Sequence, residues 1–178
     1  MKLLLHTCCA PCLIYPLNRL KKSGYEVTCF FFNPNIYPSL EYQDRRKALI
    51  EYSTHCDAQV FYPEYMPSEF SEAIIEHLSK PSRCEICWTI RLKRTANFAR
   101  MNGFGAFSTT LLVSPYQDHE ALKRIGYEIA AKEGVFFRYE DFRPGFRKAQ
   151  AEAKSLGLYR QKYCGCKYSQ EESGKGKS

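Results

Sequence analysis

The densest group of reactive side chains lies near the start of the chain, in His6-Thr7-Cys8-Cys9-Ala10-Pro11-Cys12. Two further groups, Cys84-x-x-Cys87 and Cys164-Gly165-Cys166, repeat the theme of closely spaced thiols. A thiolate is both a nucleophile and a soft metal ligand, so such groups read as metal or redox chemistry. Sulfurs two or three residues apart reach one centre across a short loop, and residues three apart on a helix share a face. Glycine between Cys164 and Cys166 permits backbone turns that other residues resist. Cys8, Cys9, Cys84, Cys87, Cys164 and Cys166 make six thiols, more than one zinc takes. Four suit an iron–sulfur cluster, which leaves two for a second metal or a dithiol. Adjacent side chains diverge, so Cys8 and Cys9 are expected to serve different centres. Cys12, one helical turn further on, has no assigned role. His6 reads equally as a ligand and as an orienting hydrogen-bonding group. Asp118, just before an expected helix, reads equally as stabilisation of the first helical turn and as a metal ligand or proton carrier. Cys29 and Cys56 sit in strand and helix-end contexts and read as structural.

The elements that position these groups follow from pattern. Lys2 to Leu5 reads as a buried strand, with a helix from about Leu13 to Lys22. Tyr25 to Phe32, Gln59 to Tyr62, Ala106 to Val113 and Val135 to Phe137 read as further strands. Helices are expected over 39–55 and from Pro67 to about Leu78. A third follows Ser82, which forms a capping box with Glu85 and puts Cys84 and Cys87 at an electropositive helix start. Another opens at Ser114-Pro115, and one runs from Asp141 to Gly157. Five strands alternating with helices imply an α/β fold, a doubly wound and mainly parallel sheet of about five strands. The loop after the first strand then lies at the carboxyl end of the sheet, where ligands bind in such folds. Residues 1–169 read as one catalytic domain, and 170–178 as a disordered basic tail.

The chain has 178 residues, nine of them cysteine, and a net charge of +7. No stretch approaches a membrane span, and the apolar run Leu3-Leu4-Leu5 is too short for a signal peptide. These features imply a soluble, cytoplasmic protein, where clustered thiols hold metals more often than disulfides. The basic residues Arg83, Arg91, Lys93, Arg94, Arg143, Arg147, Lys148, Arg160 and Lys162, interleaved with Tyr159, Tyr163 and Tyr168, suit phosphates and stacked bases. Two other classes fit less fully: a zinc-stabilised RNA-binding module, and an ATP-using tRNA-modifying enzyme. The second needs a Gly-rich phosphate loop where this chain has cysteines and Pro11.

The motifs His6-x-Cys8-Cys9-Ala10-Pro11-Cys12, Phe32-Asn33-Pro34-Asn35-Ile36, Glu41-Tyr42, Cys84-x-x-Cys87-x-x-x-Arg91-Leu92, Ser108-Thr109-Thr110-Leu111, Ser114-Pro115-Tyr116-Gln117 and Tyr159-Arg160-Gln161-x-Tyr163-Cys164-Gly165-Cys166 together resemble the QueH family of cobalamin-independent epoxyqueuosine reductases. The resemblance spans Lys2 to about Ser169. It implies a fold similar to the nucleotide α-hydrolases of the HUP class, a 4Fe–4S cluster and an adjacent mononuclear iron. The implied substrate is a tRNA carrying epoxyqueuosine at the wobble position, reduced to queuosine with electrons from an external donor. Cys8 and Asp118 are the residues expected to take part in catalysis. The six paired cysteines with Asp118 are the expected metal-ligand pool.

Overall fold

The computed structural model of the chain describes residues 1–175. The first strand, β1 (Lys2–His6), is the centre of a five-stranded sheet. Leu3, Leu4 and Leu5 are fully buried, as an unbroken apolar run must be when helices cover both faces of a parallel strand. β1 pairs in parallel with β2 (Glu26–Phe30) on one side and β4 (Ala106–Thr109) on the other. β3 (Val60–Phe61) and β5 (Phe136–Phe137) complete the parallel order β3-β2-β1-β4-β5.

Helices α1 (Ala10–Lys22) and α2 (Ser39–His55) follow β1 and β2, and α6 (Phe146–Ser155) packs against α1. The short α3 (Pro67–Ala73) leads to the long α4 (Ser82–Met101), which packs along α5 (His119–Glu133). The chain winds outward from β1 in one direction and then, from β4, in the other. The order reverses between β1 and β4, and that reversal is where doubly wound sheets open a crevice at their carboxyl ends.

Several local expectations are corrected. The apolar run Thr110 to Val113 is a 3₁₀ turn, not the end of β4. The Thr109 hydroxyl accepts from Leu111 N–H at 3.1 Å and turns the chain there, and a short buried run fits either conformation. The Ser82 capping box does not form, because Pro81 takes the N-cap position without a side-chain bond. α5 begins at His119 rather than Pro115, capped by Asp118, while the Ser114 hydroxyl accepts from Tyr116 N–H at 3.2 Å. α3 stops at Ala73, since Ile75 and Leu78 beyond it are exposed. A final helix, α7 (Lys167–Lys175), occupies most of the stretch that composition reads as disordered. Glu172 anchors it to Lys80 at 2.8 Å and to Arg83 at 2.7 Å; residues 176–178 of that stretch lie outside the described residues.

Candidate metal centre

Three strand-end or helix-start segments bring the thiols together at the sheet crevice. Cys8 and Cys9 sit where β1 turns into α1, with Cys9 as N-cap and Cys12 in the first turn. Their sulfurs and that of Cys12 all lie within 4.8 Å of one another, and Cys8 and Cys9 Sγ are 3.7 Å apart. The expectation that neighbouring thiols diverge therefore fails here. It holds along a regular strand, and the chain leaves the strand at this point. The trio includes Cys12, to which spacing assigned no role.

Cys84 lies in the first turn of α4 and Cys87 one turn later. Together with Cys164 and Cys166 they line a cavity of about 270 Å³, walled also by Trp88, Gln117 and Asp118. A second opening of about 390 Å³ is lined by Cys12, Gln161 and Cys164, so the trio and the quartet abut. Cys29, in β2, and Cys56, at the end of α2, line neither.

The Cys164-Gly165-Cys166 turn reaches this place because α2 holds it. Arg45, buried beside Glu41 at 2.7 Å, donates to the carbonyl oxygens of Cys164 and Tyr163 at 3.0 Å each. Tyr37 N–H donates to the Gly165 carbonyl at 2.8 Å. Gly165 has φ +143°, and a Cβ there would stand 3.0 Å from Asn35 Nδ2. Only glycine suits both demands.

Six of the seven sulfurs face a hydrogen-bond donor. The Thr110 hydroxyl donates to Cys8 at 3.3 Å. The Gln161 amide donates to Cys9 at 2.8 Å and Cys12 at 3.6 Å. Arg91 donates to Cys87 at 3.7 Å, Gln117 to Cys164 at 3.6 Å, and Ser169 N–H to Cys166 at 3.4 Å. The orientation of Gln117 follows from Trp88, whose indole N–H donates to Gln117 Oε1 at 3.0 Å and leaves the amide N–H₂ for the sulfur. Donors aimed at sulfur favour its anionic form. Hydrogen bonds from Cys12 and Cys9, aided by Arg91 and Thr110, hold the Cys8 thiol well below its ordinary range. Cys9 is pushed up, first by burial, and Cys12 first by its bond to Cys8. Burial pushes Cys87 up to about 12 and raises Cys84 and Cys164. Cys9, Cys12, Cys87 and Cys164 thus resist ionising alone yet face fixed donors, which fits a centre whose positive metals supply the missing charge.

His6 is not placed as a ligand. It is fully buried, with Nδ1 2.9 Å from Thr109 Oγ1 and Nε2 3.2 Å from the Phe32 carbonyl oxygen. Burial first, and then Arg91, lower its pKa to about 3, so it is a neutral spacer between β1 and β4. Asp118 is on the cavity wall, and its Oδ1 caps α5 by accepting from Ala121 N–H at 3.0 Å. Thr110, Gln117 and Gln161 carry no signal as sulfur donors in the sequence, because their partners are 102, 47 and 152 residues away. Arg83 and Arg91, expected on a phosphate-binding surface, are buried. Arg83 ties α4 to α7 and Arg91 points among the thiols.

Fold and site together define a doubly wound α/β protein with a thiol centre, able to hold a metal, at the sheet's switch point. The same fold is seen in a predicted subunit of a tRNA methyltransferase from Methanocaldococcus jannaschii, with a TM-score of 0.56 at 12% identity, over 85% of this chain and 74% of that one. The family model for the epoxyqueuosine reductase QueH matches residues 3–172. Among the relatives, the epoxyqueuosine reductase QueH of Dehalococcoides mccartyi is 36% identical over 172 residues, covering 96% of this chain and 93% of its own. That of Thermotoga maritima is 39% identical over 174 residues, covering 93% and 88%. The chain belongs to the QueH family of epoxyqueuosine reductases, and with it to the oxidoreductases.

Proposed function

We propose that the chain reduces epoxyqueuosine in tRNA to queuosine at a 4Fe–4S cluster with an adjacent iron, drawing ligands from Cys8, Cys9, Cys84, Cys87, Cys164 and Cys166. The observation that carries this reading is the set of donors facing six sulfurs in one crevice. Cys12, in contact with Cys8 and Cys9, joins the pool. Converting an epoxide to an alkene breaks both carbon–oxygen bonds and releases the oxygen as water, which consumes two electrons and two protons. When bound, the cluster supplies electrons singly and the adjacent iron an open Lewis-acidic position.

The chain's own residues then do the remaining work. Cys8, whose thiol the bonds to Cys12 and Cys9 hold well below its ordinary range, faces the site with the Thr110 hydroxyl donating to its sulfur. Gln117, fixed by Trp88, holds Cys164 in place at the cavity wall. Asp118 uses Oδ1 as the helix cap, which leaves Oδ2 to carry a proton to the departing oxygen. Electrons come from an external donor, since the chain has no Gly-rich dinucleotide fingerprint. Among the described residues no helix is long and apolar enough to cross a membrane, and we take the protein to act in the cytoplasm, where tRNA is found.

The test is anaerobic purification followed by visible absorption and iron and sulfide analysis. A brown protein with about four irons or more and matching sulfide is expected. Cys84→Ser and Cys87→Ser are expected to lose colour and turnover together, while Cys29→Ala and Cys56→Ala keep both. A colourless protein holding only zinc would refute the reductase reading in favour of a structural site. So would full iron content in both α4 variants.

A further inference from the structure

We propose that Arg91 is the fixed counter-charge of the thiol centre, a positioning residue whose guanidinium sets how readily the bound cluster accepts an electron. The proposal rests on the cluster reading above and adds a residue to which spacing assigned only a surface role. Arg91 is 1% exposed. Its Nη2 donates to Asn33 Oδ1 at 2.9 Å, its Nη1 to Cys87 Sγ at 3.7 Å, and its Nε lies 3.3 Å from His6 Nε2. Asn33 is itself held by donating to the Thr7 carbonyl at 2.9 Å, so the guanidinium is clamped at both ends.

The molecule holds a second fully buried arginine, and the contrast between them is informative. Arg45 has a carboxylate, Glu41, at 2.7 Å. Arg91 has no carboxylate partner among the described residues. An isolated cation removed from water is costly unless an opposite charge is near. The polar neighbours of Arg91 are an amide and an imidazole, and neither is an anion. The groups left to balance it are sulfurs: Cys87 in contact, with Cys8 and Cys164 within its field. The guanidinium therefore waits for negative charge on the thiol centre. Adding an electron increases that charge, and a fixed cation in a low-dielectric site favours the reduced state.

The experiment compares the wild-type holoprotein with Arg91→Gln, Arg91→Lys and Asn33→Ala. Each is titrated anaerobically with dithionite in the presence of redox mediators, and cluster content is verified by iron and sulfide. Arg91→Gln is expected to shift the reduced-to-oxidised ratio at a fixed potential at least tenfold toward the oxidised form, a fall of 59 mV for a one-electron couple. Arg91→Lys keeps the charge and is expected to remain within threefold of wild type. Asn33→Ala removes an anchor but not the charge, and is also expected to stay close. An unchanged potential in a fully loaded Arg91→Gln protein overturns the proposal. A shift in Asn33→Ala as large as that in Arg91→Gln overturns it too, because geometry rather than charge would then be responsible. If Arg91→Gln takes up no cluster, loading becomes the readout: recovery in Arg91→Lys supports the proposal, and equal failure of both overturns it. A wild-type protein without iron and sulfide would instead refute the cluster reading, and is told apart by the wild-type arm alone.

Discussion

Asp118 divides two tasks between two oxygens, and this makes it separable by mutation. Asparagine is as good an N-cap as aspartate, so Asp118→Asn retains the bond from Ala121 N–H and the start of α5. We expect it to keep the cluster's colour and melting temperature but to lose most turnover of epoxyqueuosine-containing tRNA under a strong artificial reductant. Turnover at the wild-type rate would remove Asp118 from the chemistry. Asp118→Ala, by contrast, should cost about 1 kcal/mol of stability through the lost cap. Gln161 works differently, since its amide N–H₂ donates to the sulfurs of Cys9 and Cys12 and caps no helix. Removing a group that orients metal ligands typically costs 10–100-fold in metal affinity. Gln161→Ala should thus release iron to a chelator at roughly tenfold lower concentration than wild type. Identical chelator curves would show that its amide does not support the centre.

Among the elements, α2 has the least obvious part in the site, because it contributes no thiol to it. Its Glu41–Arg45 pair is buried, and Tyr159 closes it by donating to Glu41 Oε2 at 2.5 Å. That pair presents two guanidinium nitrogens to the carbonyls of residues 163 and 164, so a helix from the first half of the chain fixes a turn near its end. Gly165→Ala tests the arrangement. A Cβ at φ +143°, 3.0 Å from Asn35 Nδ2, imposes backbone strain of about 1–3 kcal/mol. It should displace Cys164 and Cys166 from the cavity. We expect reduced iron retention with a melting temperature lowered by a few degrees, read by iron analysis and calorimetry. Wild-type iron retention would mean that the turn does not hold the ligands.

At the scale of the whole molecule, charge decides how a large polyanion approaches. The net charge of +7 overstates the surface, because Arg45, Arg83 and Arg91 are interior. Arg94 and Arg143 are exposed but spend charge on Glu69 and Asp141. Lys93, Arg147, Lys148, Arg160 and Lys162 remain exposed, and Lys162 lines the opening beside Cys12 and Gln161. Affinity for tRNA should therefore fall by roughly 0.7–0.9 log units per log unit of salt for each phosphate contact. Replacing Arg160 and Lys162 by glutamine should reduce that slope by about two contacts. A slope unchanged by the double replacement would move the tRNA path to another face.

Much of this was legible without coordinates. Alternating apolar and helical patterns determined the order of strands and helices, and parallel pairing follows because the connections are helices. The thiol groups and their positions at strand ends and helix starts were equally legible, because spacing of two or three residues is local information. What only the tertiary structure decided is where the chain leaves each regular element and which distant residues it brings into contact. It joined Cys12 to Cys8 and Cys9, aimed Gln161 and Thr110 at sulfurs more than a hundred residues away, and set Asp118, not Ser114, as the cap of α5. It also turned inward Arg83 and Arg91, two of the arginines expected on a phosphate-binding surface. A charged side chain carries the same letter whether it faces water or a buried sulfur, and only packing, through the partners it leaves within reach, tells the two apart.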